Sequence, residues 1–414
     1  MNKVTTRKKF STLAKISCAF ALSGLTSLSA YAVDFKELDK LALNVKPVTV
    51  AQGISIPWAI EALPNGDLLI TERSGILYLL RNNSTSLTKI TGLPKIDANG
   101  QGGLLDLELH PDFANNQWLY ITYSSSEGDG AGSNTALMRA KLSNDHSQLL
   151  ESQQLYKGEH NSKKGQHYGS RIVFDNQNYV YFSIGDRGSR DINPQDLGRD
   201  GGKIYRLHDD GKIPSDNPFV NQKGAKPAVW SYGHRNPQGM WFDGDNSIFW
   251  AHEHGPRGGD ELNMIKPKTN YGWPVVSYGI NYSGTSFTDL TEKPGMQAPI
   301  LQWTPSIAPS DMLLVKGDKY PELKGKFLLA SMKYAFVSVL EIADGKVVKQ
   351  SKLLEGIGRI RSLAQGDDGT IYLGLDLKNF YIPFLGLLKE DVNLFDKNLL
   401  NKIFYKNLNE YFLP

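Results

Sequence analysis

The sequence predicts an all-β protein, a six-bladed β-propeller with four-stranded antiparallel blades, on three observations. A turn rich in Asp, Asn and Gly, followed by a short run of β-branched, aromatic and leucine residues, occurs six times. No sustained helical periodicity runs between Val33 and Asp376. No Pro/Ser-rich linker divides the chain, so one domain is preferred over two smaller β-domains, and an open β-sandwich is the other competing architecture.

The six units come in order as PNGDLLITER (64–73), ANNQWLYITYS (114–124), DNQNYVYFSIGDRG (175–188), DGDNSIFWAHEHG (243–255), LKGKFLLASMK (323–333) and DDGTIYLGLD (367–376). Each opens on residues that favour a tight turn and continues as a strand meant for burial. Recurrence at tens of residues signals a repeat architecture. The irregular spacing suits blades whose loops on one face differ in length, and those loops then surround a central channel and carry the unusual residues. The propeller is expected over 33–376. Beyond it, residues 377–414 (LKNFYIPFLGLL and onward) are rich in Leu, Asn, Lys and Phe at helical spacing and do not read as a blade strand. Two readings stay open for this tail: an added amphipathic helix, or the product of a reading-frame change.

Composition narrows the function classes. The 414 residues are 40% hydrophobic, enough for a sizeable core. The 46 basic and 43 acidic residues are interspersed, so neither nucleic acid nor an anionic membrane is the expected partner. Residues 1–32 begin with Lys3, Arg7, Lys8 and Lys9, continue through an apolar run from Ile16 to Leu28, and end on Ala30-Tyr31-Ala32. That layout predicts a secretory signal peptide cleaved after Ala32, and a periplasmic protein. The run is too short for comfortable membrane insertion, which needs roughly 20 residues. Cys18 is the only cysteine. The mature chain therefore has no thiol for catalysis, for cysteine-bound zinc or for iron–sulfur clusters.

Three stretches carry chemistry. In KKGQHYGSR (163–171), His167 precedes a strand, and Asp186 ends the next one in FSIGDRG; one hairpin separates them. A histidine beside a carboxylate is a suitable general base near neutral pH. In WSYGHRNPQGMWFD (230–243), Arg235 offers a planar fork of donors for carboxylate or quinone oxygens, and Asn236 precedes a proline that keeps the chain extended. In GRIRSLAQG, Arg359 and Arg361 alternate along one strand, so they share a face, which favours an acidic cofactor or substrate between them, a solvated strand edge being the alternative. The stretch HEHGPRGGDELN (252–263) is ambiguous by itself. His252-x-His254 suits a transition metal, whereas Glu253, Asp260 and Glu261 suit a hard cation.

Taken together, QGGLLDLELHPDF (101–113), the His167 and IGDRG segments, YGHRNPQG, EHGPRGGDELN, NYGWP and PSIAPS resemble the soluble quinoprotein glucose/sorbosone dehydrogenase family. The resemblance is greatest to its periplasmic aldose sugar dehydrogenase branch, and it runs from about Pro47 to Asp376. It implies a six-bladed propeller that binds pyrroloquinoline quinone (PQQ) and calcium and oxidises the C1 hydroxyl of aldoses to the lactone. By the same resemblance His167 is the general base, assisted by Asp186, while Arg235 steadies developing charge. Gln101, Arg235 and Asn236 contact cofactor and substrate. Lys333, Arg359 and Arg361 bind the cofactor's carboxylates, with Ser306 as a hydroxyl contact. The backbone carbonyls of Gly255 and Pro256 serve the calcium beside the quinone, and Glu261 with the main chain of Tyr271 serves a second, structural calcium. His252 and His254 then become bystanders, and zinc is set aside. Aldoses are the expected partners of a monomer or homodimer, and the electron acceptor stays unidentified.

Two other functions compete: a calcium-dependent propeller lactonase or other hydrolase, and a non-catalytic propeller that binds a glycan or a protein. The hydrolase needs several carboxylates on one calcium and leaves the cationic set without a task. The binding protein has no use for His167.

Overall fold

The computed structural model describes residues 31–33, 35–376 and 384–389. Helix among the described residues is confined to Phe113–Asn116 and a single 3-10 turn, Phe35–Glu37. The rest is strand and loop.

Six sheets form among the described residues. The first joins Pro57–Ala62, Leu68–Glu72, Ile76–Leu80 and Leu87–Ile90 as an antiparallel meander, and the next four sheets repeat that order. The opening strand of each sheet packs against the opening strands of two neighbours. These contacts return on themselves from Arg359–Gln365 to Pro57–Ala62. This is an all-β propeller.

All six turn-and-strand units of the sequence fall at one place in the sheets: each is the first hairpin turn with the second strand. The second strands are Leu68–Glu72, Trp118–Ser125, Val180–Ile184, Ile248–Glu253, Phe327–Ser331 and Ile371–Asp376. A second strand has ladders on both sides and a neighbouring sheet on each face, so it is buried almost throughout. The outermost strands differ. Leu149–Lys157 is buried at its first residue and exposed over the next five.

The core is distributed rather than central. Each of the hydrophobic clusters joins two consecutive sheets: Leu69, Leu77 and Leu79 of the first meet Leu107, Leu119 and Ile121 of the second, and Ala51 of the last sheet meets Ile60 and Ile70 of the first. Each such Leu or Ile contributes roughly 1.5–3 kcal/mol on burial. Packing sheet against sheet leaves the axis free for polar side chains.

Two expectations need correction. One sheet carries a fifth strand, because Tyr31–Val33 pairs in parallel with Leu301–Trp303. The expected signal segment lies outside the described residues except for Tyr31 and Ala32, which belong to that strand. The tail also holds a strand that the sequence reading did not assign. Phe384–Lys389 inserts antiparallel between Val45–Ala51 and Ile371–Asp376, so the last sheet is completed by a strand from near the start of the chain. The other tail residues lie outside the described ones.

Candidate active site

In an antiparallel hairpin the start of the first strand and the end of the second lie at the same edge. His167 precedes Ile172–Phe174, Asp186 follows Val180–Ile184, and Arg235 and Asn236 precede Pro237–Asp243. Gln101 precedes Leu104–Leu109, Ser306 precedes Pro309–Leu314, and Lys333 follows Phe327–Ser331. Arg359 opens its own strand. The ring therefore gathers residues from every part of the chain at one mouth of the channel.

His167 Nδ1 stands 2.7 Å from Asp186 Oδ1. Its backbone holds φ at 53°, in the left-handed region that histidine tolerates better than most residues, and its N–H donates to Gln101 Oε1 at 2.8 Å. Close approach of the two segments depends on Gly185, because a Cβ there would run into the carbonyl oxygen of His167 and the amide oxygen of Asn236. Asp186 is buried. Oδ1 also accepts the Gly188 N–H at 2.7 Å, and Oδ2 accepts the indole N–H of Trp273 at 2.9 Å. Burial pushes the Asp186 carboxyl up, but the hydrogen bond and charge of His167, the Arg235 guanidinium and the Trp273 donor outweigh it and hold the carboxyl below its usual range. The imidazole shifts down as well, because burial and Arg235 outweigh Asp186. A carboxylate on Nδ1 and a neutral ring leave Nε2 as a proton acceptor.

These groups face a cavity of about 300 Å³ lined by His167, Asp186, Arg235, Pro256 and Trp273, with Gln166 and Arg190 among its other walls. Arg235 is buried, donates to the His254 carbonyl at 3.1 Å and lies 5.4 Å from the Trp273 ring centre. Trp273 and Gln166 were missed as site residues; Trp273 sits inside the NYGWP motif, which was the available signal.

A second cationic group comes from Lys333, Arg359 and Arg361. Arg359 and Arg361 both reach Met332, so two of the three expected cofactor cations converge, while the ammonium of Lys333, the next residue, lies over the Tyr334 ring at 5.2 Å. Lys333 and Arg359 are exposed. Arg361 is 7% exposed, lies 4.4 Å from the Trp58 ring centre and keeps its Nε without a partner. Arg171 occupies the other contact with Trp58 at 4.6 Å, but Asp106 and Asp311 neutralise it at 2.6 and 3.4 Å. Burial and that second guanidinium push Arg361 down to about 9. A buried cation short of partners is the environment an anionic ligand relieves.

Two expected ligands are engaged elsewhere. Asn236 Oδ1 accepts the Gly169 N–H at 3.0 Å, bracing the His167 segment. Ser306 Oγ donates to Asp260 Oδ2 at 2.7 Å, and Asp260 Oδ1 accepts the Gly255 N–H at 2.9 Å. Asp260 thus ties the 255–259 turn to the 306 loop. Pro256 borders the large cavity, while Gly255, Glu261 and Tyr271 border an adjoining void of about 10 Å³ that also touches Glu253 and shares Arg235 and Trp273 with the large one. That void is the size of one water or ion. Burial and the neighbouring Glu253 and Asp260 raise Glu261 to about 8. Oxygen donors around a space of this size suit a hard cation. His252 is buried with both ring nitrogens unpartnered, and His254 Nε2 bonds the Pro309 carbonyl at 2.7 Å. Among the described residues no group of three or more His, Cys, Asp or Glu could hold a metal through side chains alone.

Fold and site together define a class, a β-propeller whose channel mouth holds a carboxylate-oriented imidazole beside a set of cations. Residues 54–382 match the Glucose / Sorbosone dehydrogenase family, and the chain belongs to that family of oxidoreductases. The aldose sugar dehydrogenase YliI of Escherichia coli is 38% identical over 324 residues, covering 77% of this chain and 87% of that one. Quinoprotein glucose dehydrogenase B of Acinetobacter calcoaceticus is 31% identical over 308 residues, 67% of this chain and 63% of that one. Among solved structures, the PQQ-bound form of aldose sugar dehydrogenase from Streptomyces coelicolor superposes with a TM-score of 0.68 at 27% identity, covering 83% of this chain and 97% of that one.

Proposed function

We propose that this protein is a PQQ- and calcium-dependent aldose dehydrogenase that oxidises the C1 hydroxyl of a sugar to the lactone. The observation that carries the reading is the 2.7 Å pair of His167 and Asp186 at a cavity wall shared with Arg235. His167 Nε2 takes the hydroxyl proton as the C1 hydride departs and C1–O becomes C=O. Asp186 keeps the other ring proton on Nδ1 and stabilises the imidazolium. Arg235 supplies a fixed positive charge beside the reacting atoms. PQQ, when bound, supplies the two-electron acceptor. Lys333, Arg359 and Arg361 would hold its carboxylates; Gln101, which braces His167, and Asn236 would stand near it. Gly255 and Pro256 would offer carbonyls to calcium, with Glu261 and Tyr271 at the second cation.

The six sheets, each joined to the next by a hydrophobic cluster, support six blades. The amino-terminal layout supports export to the periplasm through a cleaved signal peptide. Among the described residues no helix is long and apolar enough to cross a membrane. A calcium-dependent hydrolase is disfavoured because calcium takes oxygen ligands and would leave Lys333, Arg359 and Arg361 without a task. The test mixes purified apoprotein with calcium and PQQ and follows reduction of an artificial dye by aldoses. Dye reduction that needs sugar, calcium and cofactor is expected; none at stoichiometric cofactor binding overturns the reading.

A further inference from the structure

Two large apolar residues are left exposed on different loops at the catalytic cavity, Ile192 (55%) and Tyr282 (74%), and the Tyr282 loop exposes Ile280 (36%) and Leu290 (46%) as well. Ile192 and Tyr282 line the cavity itself, so this surface continues the site. Single exposed apolar residues are ordinary, but two that meet at a cavity mouth, with others on the same loop, mark a binding surface.

The rim is built rather than loose. Tyr282 sits at the tip of a turn closed by Asn281 N–H to Thr285 O at 3.0 Å and Gly284 N–H to Asn281 O at 2.9 Å. Ile280 and Arg257 anchor that turn by exchanging backbone hydrogen bonds at 3.0 and 3.2 Å. The Arg190 guanidinium stacks 4.5 Å from the Phe287 ring centre and donates to Asn281 Oδ1 at 2.8 Å. Phe287 in turn meets the Trp273 ring edge-on at 5.2 Å. A run of contacts thus fixes the rim to the indole that holds Asp186. Beside Arg190 stands the Asp191 carboxylate, 78% exposed.

We infer that this rim is a second sugar subsite, in which Tyr282 carries the ring next to the one being oxidised; the inference rests on the aldose reading of the site. A pyranose has an apolar C–H face and an edge of hydroxyls. An exposed aromatic ring that lines the same cavity as Ile192, with the held Arg190 guanidinium and the Asp191 carboxylate among its walls, matches both sides of that ligand. The favoured substrates are therefore linear oligosaccharides with a free reducing end, and Tyr282 is a specificity-determining residue.

Kinetics with glucose, maltose and maltotriose on wild type, Tyr282→Ala and Tyr282→Phe test this. The ratio of kcat/KM for maltotriose to that for glucose should fall about tenfold in Tyr282→Ala and stay near wild type in Tyr282→Phe. An unchanged ratio, or an equal loss for every sugar as for a patch that docks the electron acceptor, overturns the subsite. Tryptophan fluorescence of the apoprotein titrated with maltotriose and with glucose separates this failure from that of the dehydrogenase reading. If wild type oxidises no sugar, the dehydrogenase reading falls. Tighter maltotriose binding that Tyr282→Ala removes then upholds the subsite, and equal binding of the two sugars overturns it.

Discussion

The indole of Trp273 donates to Asp186 Oδ2 at 2.9 Å, on the carboxylate oxygen that His167 does not use. The carboxylate is thereby held from both sides, and the imidazole plane is set by a residue 106 positions further along the chain, from the loop between Asp260–Met264 and Leu301–Trp303. Replacing Trp273 with Phe keeps the ring and removes the donor. We expect kcat to fall roughly 10- to 100-fold, the scale of one hydrogen bond to a charged group, with little change in melting temperature. Steady-state kinetics alongside thermal denaturation check this.

His167→Gln keeps a polar side chain of similar reach and removes the base. Turnover should drop by about 10²–10⁴, the usual contribution of a general base, while PQQ still binds at one per chain. Cofactor titration by absorbance distinguishes this outcome from a ligand role, in which binding would be lost.

The pH dependence follows from the direction of the His167 shift. Burial and Arg235 lower its pKa below the ordinary 6.5, so the base form persists into mildly acidic solution. Activity should therefore fall as pH drops through a value below 6.5, where Nε2 becomes protonated. Asp186→Asn removes the group that raises the imidazole pKa, so the acid limb should move lower still while kcat falls on the order of 10²–10⁴ through loss of the correct tautomer. A kcat/KM profile against pH reads both effects.

Arg361→Met exchanges a buried cation for an apolar side chain of similar length. The apoprotein should melt at a higher temperature, because the charge has no partner on Nε and lies near the Arg171 guanidinium. PQQ affinity should weaken by about 30-fold or more, the scale of losing one partner of a buried charge pair. Calorimetry on the apoprotein and cofactor titration should move in opposite directions.

The second strands were legible because their whole length is buried, as in Val180–Ile184 and Phe327–Ser331, and turn residues mark their starts. The outer strands were not, because Leu149–Lys157 faces solvent and its composition resembles that of a loop. Phe384–Lys389 was missed because a short Leu/Phe run with helical spacing does not distinguish strand from helix. The His167–Asp186 pair was readable from its hairpin spacing. Trp273 was harder, since nothing local to NYGWP shows which carboxylate its indole will meet. Asn236 and Ser306 show the converse limit: motif position brought them to the right mouth, while the hydrogen bonds that occupy them form only once the loops have met.

Val45 is the register partner of Lys389, so the last sheet depends on segments from opposite ends of the described chain. Its closure joins partners of very high sequence separation, and contacts of that kind form late because the loop-closure entropy must be met first. A nascent chain accordingly holds Val45–Ala51 without its partner until almost everything else has been synthesised. Removing 384–389 would leave two unpaired strand edges, each a template for another copy of the chain. The carboxyl-terminal strand is therefore a safeguard against aggregation, even though it lies in none of the motifs that carry the chemistry.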